Sequence, residues 1–273
     1  MPSRYRCLAL TGIFALILLL PTGRSFAACL GAVAGKARPV PQLVASRPQP
    51  IQQVKSGELR LTFVGHATFL LESPGGVRAA TDYNDYIRPS VVPDIVTMNH
   101  AHGTHFTDQP DPGIRHVLRG WTHQGRPARH NLTYRDMRVR NIPTNLRSFG
   151  GDTEYDGNSI FVFDAADLCV AHLGHLHHPL TPGHLADLGR IDVLLVPVDG
   201  GYTLNQLQMR DVVRQVQSPL VIPMHYFGDY TLERFLALLR DSHEVKLGDS
   251  PSLLITRASL PKQPTVLVLP GPH

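Results

Sequence analysis

From residue 58 onward, apolar positions come in short runs separated by turn-forming residues, a pattern of strands more than of long helices. ELRLTFVGHATFLLES reads as two strands meeting at Gly65-His66. Ser73-Pro74-Gly75-Gly76 is a turn, and VRAATD follows as a third strand. DIVTMN, residues 94–99, is a short apolar strand that runs directly into MNHAHGTHFTD. MRVRNIPT, NSIFVFDA and DLCVAHLG continue the β pattern. IDVLLVPV, residues 191–198, is nearly continuous, as expected of a strand buried on both faces. Helices are fewer and later. Thr203 caps one through about Val216, with Leu207, Val212, Val213 and Val216 as its apolar face. Thr231 caps a second, with Leu232, Phe235, Leu236 and Leu239 inward, and VKLG, SLLITR and TVLVLP are closing strands. The expectation is an α/β sandwich, two sheets with helices on the outer faces.

The first 57 residues follow another logic. Arg4 and Arg6 precede LALTGIFALILLLP, and Ser25-Phe26-Ala27 places small residues around a cleavage site, so residues 1–27 read as a secretory signal peptide. The apolar run is short for a membrane span, which predicts removal rather than stable insertion. Phe26-Ala27-Ala28-Cys29 is only a faint lipoprotein box, so the expected location is periplasmic or secreted. Residues 28–57, with Pro39, Pro41, Pro48 and Pro50, read as a tail or linker, and residues 58–273 as one folded domain. Arg4, Arg6 and Arg24 carry three of the four net positive charges, so the mature chain is near neutral. With no basic stripe, there is no case for a nucleic-acid partner. Cys169 sits in an apolar run and reads as a buried thiol, Cys29 as a loose one, although export permits a bridge. Oligomeric state is not legible.

Chemistry concentrates in histidine. HAHGTH follows a strand and supplies His100, His102 and His105. Alternation along an extended segment aims His100 and His102 at one point, and His105 at a neighbouring one. AHLGHLHH adds His172, His175, His177 and His178 after a second strand, and PLVIPMHYFG ends in His225. Neutral imidazole is a good ligand for zinc and similar ions, and several around one locus are hard to explain by packing. Metal binding is therefore the expectation, with zinc favoured and manganese or iron also compatible with the ligand type.

FVGHATFLLE, HAHGTH, AHLGHLHHPL, LLVPVDGGYTL and VIPMHYFG, in that order, resemble the metallo-β-lactamase-fold hydrolases, especially the branch of L-ascorbate-6-phosphate lactonase-like proteins. The resemblance spans residues 58–230 and implies a four-layer αββα sandwich with a metal centre at one edge of the sheets. It implies that His100, His102 and His172 form a first metal site and that His105 and His225 belong to a second. His66 would lie near the site, with Asp82 on a short acidic turn behind it. Two positions depart from the family. Thr104 replaces the aspartate of H-x-H-x-D-H, and His175 replaces the bridging aspartate of H-x-G-D. An imidazole cannot bridge two ions, so His175 is expected as a terminal ligand with His105 and His225, and Thr104 as a support beside a ligand. The loss of two carboxylates makes the centre more positive, favours an anionic substrate, and suggests one firm ion and one conditional ion. The expected activity is hydrolysis of a small ester, lactone, amide or phosphoester by water bound at the metal. His66 and His178 are the candidate proton donors, with His177 not separable from them. The alternatives are a degenerate, non-catalytic metal- or anion-binding protein on the same fold, or a metal-sequestering one.

Overall fold

The computed structural model describes residues 53–100, 102–148 and 150–272. The expected signal peptide and residues 28–52 of the expected tail lie outside the described residues.

The strands are β1 (Glu58–Gly65), β2 (Thr68–Glu72), β3 (Arg78–Ala80), β4 (Ile95–Met98), β5 (His116–Arg119), β6 (Asn131–Tyr134), β7 (Met137–Arg147), β8 (Thr153–Ala165) and β9 (Leu168–His172). Helix α1 (Pro182–Leu188) and β10 (Val193–Pro197) come next, then α2 (Gln206–Val216) and β11 (Leu220–Met224). Helix α3 (Asp229–Ala237), β12 (Glu244–Leu247), β13 (Ser252–Thr256) and β14 (Thr265–Val268) complete the order. One sheet runs β13-β1-β2-β3-β4-β5 and the other β12-β14-β11-β10-β9-β8-β7-β6. The expected α/β sandwich is therefore present.

Side-chain alternation explains the layering. In β8, Phe161 and Phe163 face the first sheet, where they meet Leu61, Phe69 and Ile95. Ile160 and Val162 face the opposite way, toward the helices. β10 divides likewise, Val193 and Leu195 inward and Leu194 and Val196 toward the helices. Strands covered on both faces must be apolar throughout, which is why IDVLLVPV shows no alternation. Full burial of each large side chain contributes roughly 1.5–3 kcal/mol.

Among the described residues, all three α-helices pack on the second sheet. The outer face of the first is covered by loop side chains instead: Phe106, Ile114 and Trp121 close over Val96 and Met98. Both expected helices exist, with different caps. Asn205, not Thr203, caps α2 through its side chain, because Thr203 is engaged by Asp199. Gly228, not Thr231, precedes α3. Cys169, expected as a thiol, is buried and disulfide-bonded.

Topology places the carboxyl ends of β4, β9 and β11 at one edge shared by both sheets. β9, β10 and β11 are mutually parallel, so the segments after β9 and β11 emerge on the same side. The His225 N–H donates to the His66 carbonyl at 2.8 Å, which ties the end of β11 to the turn between β1 and β2.

Candidate metal centre

β4 ends at Met98, and the chain then turns, with the His105 N–H donating to the His102 carbonyl at 2.9 Å. That turn brings His102 and His105 together. Their rings lie 4.5 Å apart between centroids. His175 arrives from the loop after β9 and His225 from the residue after β11. One ring nitrogen from each of His102, His105, His175 and His225 falls within 4.8 Å of all the others. His102 Nε2 and His175 Nε2 are 3.1 Å apart, and His225 Nε2 and His105 Nε2 are 3.2 Å apart.

Every one of these rings is held from behind. His105 Nδ1 donates to Asp82 at 2.6 Å and His225 Nδ1 to Asp199 at 3.0 Å. His102 Nδ1 lies 2.9 Å from Thr104 Oγ1, and His175 Nδ1 lies 2.6 Å from His177 Nε2. Carboxylates behind histidine fix the tautomer and raise ligand basicity, a pattern typical of metal sites. Zinc–nitrogen bonds of about 2.0–2.1 Å in a tetrahedral site put ligand nitrogens about 3.3 Å apart, close to the 3.2 Å between His105 Nε2 and His225 Nε2. The residues present fit a divalent ion.

Electrostatics favours the uncharged rings of His102, His105 and His175. Burial, then the neighbouring imidazoles, pushes His105 and His175 well below the usual histidine range, and burial lowers His102 as well. Burial and the nearby His225 and His102 push His66 down to about 3. Burial lifts Asp82 to about 6, against the pull of His172 and a hydrogen bond from Asn99. Burial works the same way on Asp199, but hydrogen bonds from His225, Thr203 and Gly201 outweigh it and hold the carboxyl well below the carboxylate range. His66, Asp82 and His225 all have positive φ, of 51°, 42° and 52°. Such non-glycine conformations cost of order 1 kcal/mol each and gather at functional sites.

The grouping expected from the sequence differs from this one. His100 lies outside the cluster: its half-exposed ring bonds Glu154 at 2.9 Å and packs on Trp121 at 5.3 Å between centroids. The alternation that paired it with His102 does not apply once the strand has ended. His172 is fully buried, but its Nε2 donates to the Ala67 carbonyl at 2.8 Å and its Nδ1 accepts from the Gly174 N–H at 3.1 Å. Both nitrogens are committed, so His172 braces the turn before β2 and has no lone pair to offer. His66 lies against the cluster, 4.1 Å from His225 between centroids, with a buried Nε2 that has no partner among the described residues. His178 also has a buried, unpartnered Nε2, but among the described residues no ring contact or hydrogen bond joins it to the cluster. Its neighbour His177 takes that place. Asp199 lies in a quoted motif to which the sequence assigns no role, and His177, expected among the candidate proton donors, instead stands behind His175. An aspartate followed by two glycines after an apolar strand was the available signal for Asp199.

An aromatic side chain flanks the centre. Phe227, largely exposed, lies 5.6 Å from both His66 and His225 between centroids and packs on Tyr202. Away from the cluster, Trp121 packs on His100 and lines a cavity of about 410 Å³ together with Arg119, Arg126, Arg129, His123 and His130. None of the three arginines has a carboxylate partner among the described residues.

Residues 60–225 match the family model of the beta-lactamase superfamily domain. A metal-dependent hydrolase from Methanoculleus marisnigri is 28% identical over 182 residues, which cover 62% of this chain and 81% of that protein. One from Carboxydothermus hydrogenoformans is 27% identical over 191 residues, covering 62% and 84%. A solved structure from Thermotoga maritima, assigned to the Zn-dependent hydrolases of the metallo-β-lactamase superfamily, superposes with a TM-score of 0.57 at 29% identity. It covers 79% of this chain and 100% of that one.

Proposed function

Because the chain belongs to the β-lactamase superfamily and is a metal-dependent hydrolase of that fold, we propose that it cleaves a small anionic ester, lactone, amide or phosphoester outside the cytoplasm. The observation that carries the reading is the convergence of imidazole nitrogens at the sheet edge, each ring held from behind by Asp82, Asp199, Thr104 or His177. His105 and His225 would hold the ion together with His102, and His175 closes the remaining side. A divalent ion there supplies Lewis acidity at the scissile carbonyl or phosphoryl and brings water close to a neutral pKa. Zinc suits a histidine-only set best.

The chain's own residues do the rest. His66 offers an uncommitted buried Nε2 beside the centre, placed to hydrogen-bond the reacting group. Phe227 and Tyr202 pack on each other beside the centre and present exposed aromatic surface to an approaching substrate. Arg119, Arg126 and Arg129 supply positive charge for a distal carboxylate or phosphate, with Trp121 lining the same cavity and packing on His100. Lactones and phosphoesters of small acids are the first substrates to try, in keeping with the lactonase-like motifs.

Export is supported by the N-terminal Arg4, Arg6 and apolar run and by the oxidised state of Cys169, since structural disulfides persist in oxidising compartments. Cell fractionation with and without residues 1–27 tests it, and retention of both forms in the cytoplasm rejects it. For the activity, metal-loaded protein is screened against matched anionic and neutral esters, lactones and phosphoesters. The expected outcome is chelator-sensitive hydrolysis with a lower KM for the anionic member of a pair. Absence of turnover in every class would reject the hydrolytic reading.

A further inference from the structure

This inference rests on the metal centre proposed above and concerns which nitrogens face it. The backbone N–H of Arg147 donates to His177 Nδ1 across 2.6 Å. A backbone amide only donates, so this Nδ1 is bare and the ring carries its proton on Nε2. That Nε2 lies 2.6 Å from His175 Nδ1 and donates to it. His175 Nδ1 is then bare in turn, and its proton sits on Nε2, the atom 3.1 Å from His102 Nε2. His102 accepts there, so its own proton is on Nδ1, toward Thr104 Oγ1 at 2.9 Å.

His105 and His225 are oriented in the opposite sense. Their Nδ1 atoms donate to Asp82 and Asp199, which leaves two bare Nε2 atoms facing each other at 3.2 Å. Facing lone pairs are relieved by a cation, whereas an N–H is satisfied by an acceptor.

We infer that His175 is the hydrogen-bond donor of this centre and not one of its ligands. His102, His105 and His225 present three bare nitrogens to a single divalent ion. His177, fixed by the Arg147 amide, is the positioning residue that keeps the His175 proton on Nε2. An ion engaging His102 Nε2 removes the acceptor of the His175 N–H and leaves it for an anionic oxygen of the substrate, a carboxylate or phosphoryl oxygen. The position that holds an acid in the family pattern has changed from binding a cation to binding an anion.

Histidine ring nitrogens, labelled with ¹⁵N, report this directly by long-range ¹H–¹⁵N correlation during a titration with zinc alone. His175→Gln identifies the His175 signals. The expected result is one zinc per chain, three Nε2 signals moved by the metal, and His175 Nε2 still protonated. His175→Gln keeps an amide donor and holds zinc within about threefold of the wild type. His177→Phe releases the tautomer, adds a fourth metal-shifted nitrogen, and tightens zinc. If that variant does not fold, the wild-type tautomer decides alone. A wild-type His175 Nε2 bound to zinc, or a loss beyond about tenfold in His175→Gln, overturns the inference and leaves the metal centre standing. A wild-type protein that binds no zinc overturns both.

Discussion

Asp82 is fully buried, accepts from His105 at 2.6 Å and from Asn99 at 2.9 Å, and so fixes a ligand it does not replace. Asp82→Asn puts an amide N–H against one of two donors. Zinc affinity is expected to fall about 10- to 100-fold with the fold retained, measured by competition with a chelating dye. The buried imidazoles also set the acid response of the metal-free protein. Burial and neighbouring charge push His66 down to about 3, while burial and then Arg147 push His177 down to about 4. The unfolded chain takes up these protons near pH 6.5 and the folded one does not, so their contribution is complete above about pH 6.5 and is lost as pH falls through the folded values. Asp82, lifted to about 6, works in the opposite direction, but it is one group against several. The Tm of the metal-free protein should therefore fall steadily from about pH 7 to about pH 5, and a flat profile would contradict the neutral assignment. At this scale the sequence showed which residue types carry the chemistry, and His102, His105, His175 and His225 were all visible in it. It did not show their grouping. His100 and His172 differ from the others only in where a loop turns and which carbonyl lies opposite, and Ala67 is over a hundred residues from His172.

Apolar strands announced themselves because both faces of β8 to β11 are covered. The elements that were not legible are β5, β6 and α1, each short and set among Gly, Pro and charged residues. Hairpin β6–β7 sits at a sheet edge, where burial is partial and the periodic signal weak. The N-cap of α2 was misplaced by two residues because Thr203 had a stronger partner in Asp199. The loop after β9 depends on Gly174, whose φ is 60° and which packs against Asn99 and Asn158. A methyl group there meets both amides in a left-handed backbone. Gly174→Ala is expected to cost about 2–4 kcal/mol, read by urea denaturation, and to weaken zinc because His175 follows directly. A change within about 0.5 kcal/mol would show that the loop relaxes freely.

The whole molecule carries little net charge, so the arginines beside Trp121 form a local field rather than a global one. Arg126→Ala and Arg129→Ala should each raise KM for an anionic substrate several-fold, leave a neutral analogue unaffected, and reduce the salt dependence of KM. Cys169, buried in β9, is disulfide-bonded, and Cys169→Ala is expected to lower stability by about 2–4 kcal/mol in oxidising buffer and by less after reduction. The two sheets meet around Asn99. Its side chain donates to Asp82 and accepts from the Ser159 N–H of β8 at 2.7 Å. The acid that orients His105 is thus anchored through one amide to the opposite sheet, and His175 and His225 come from that sheet as well. Coordination and inter-sheet alignment are then a single mechanical property. An ion held there would act as a strain gauge mounted across a seam: a relative shift of the sheets is expected to move Asp82 and His105 against His175 and His225 and so to weaken metal binding.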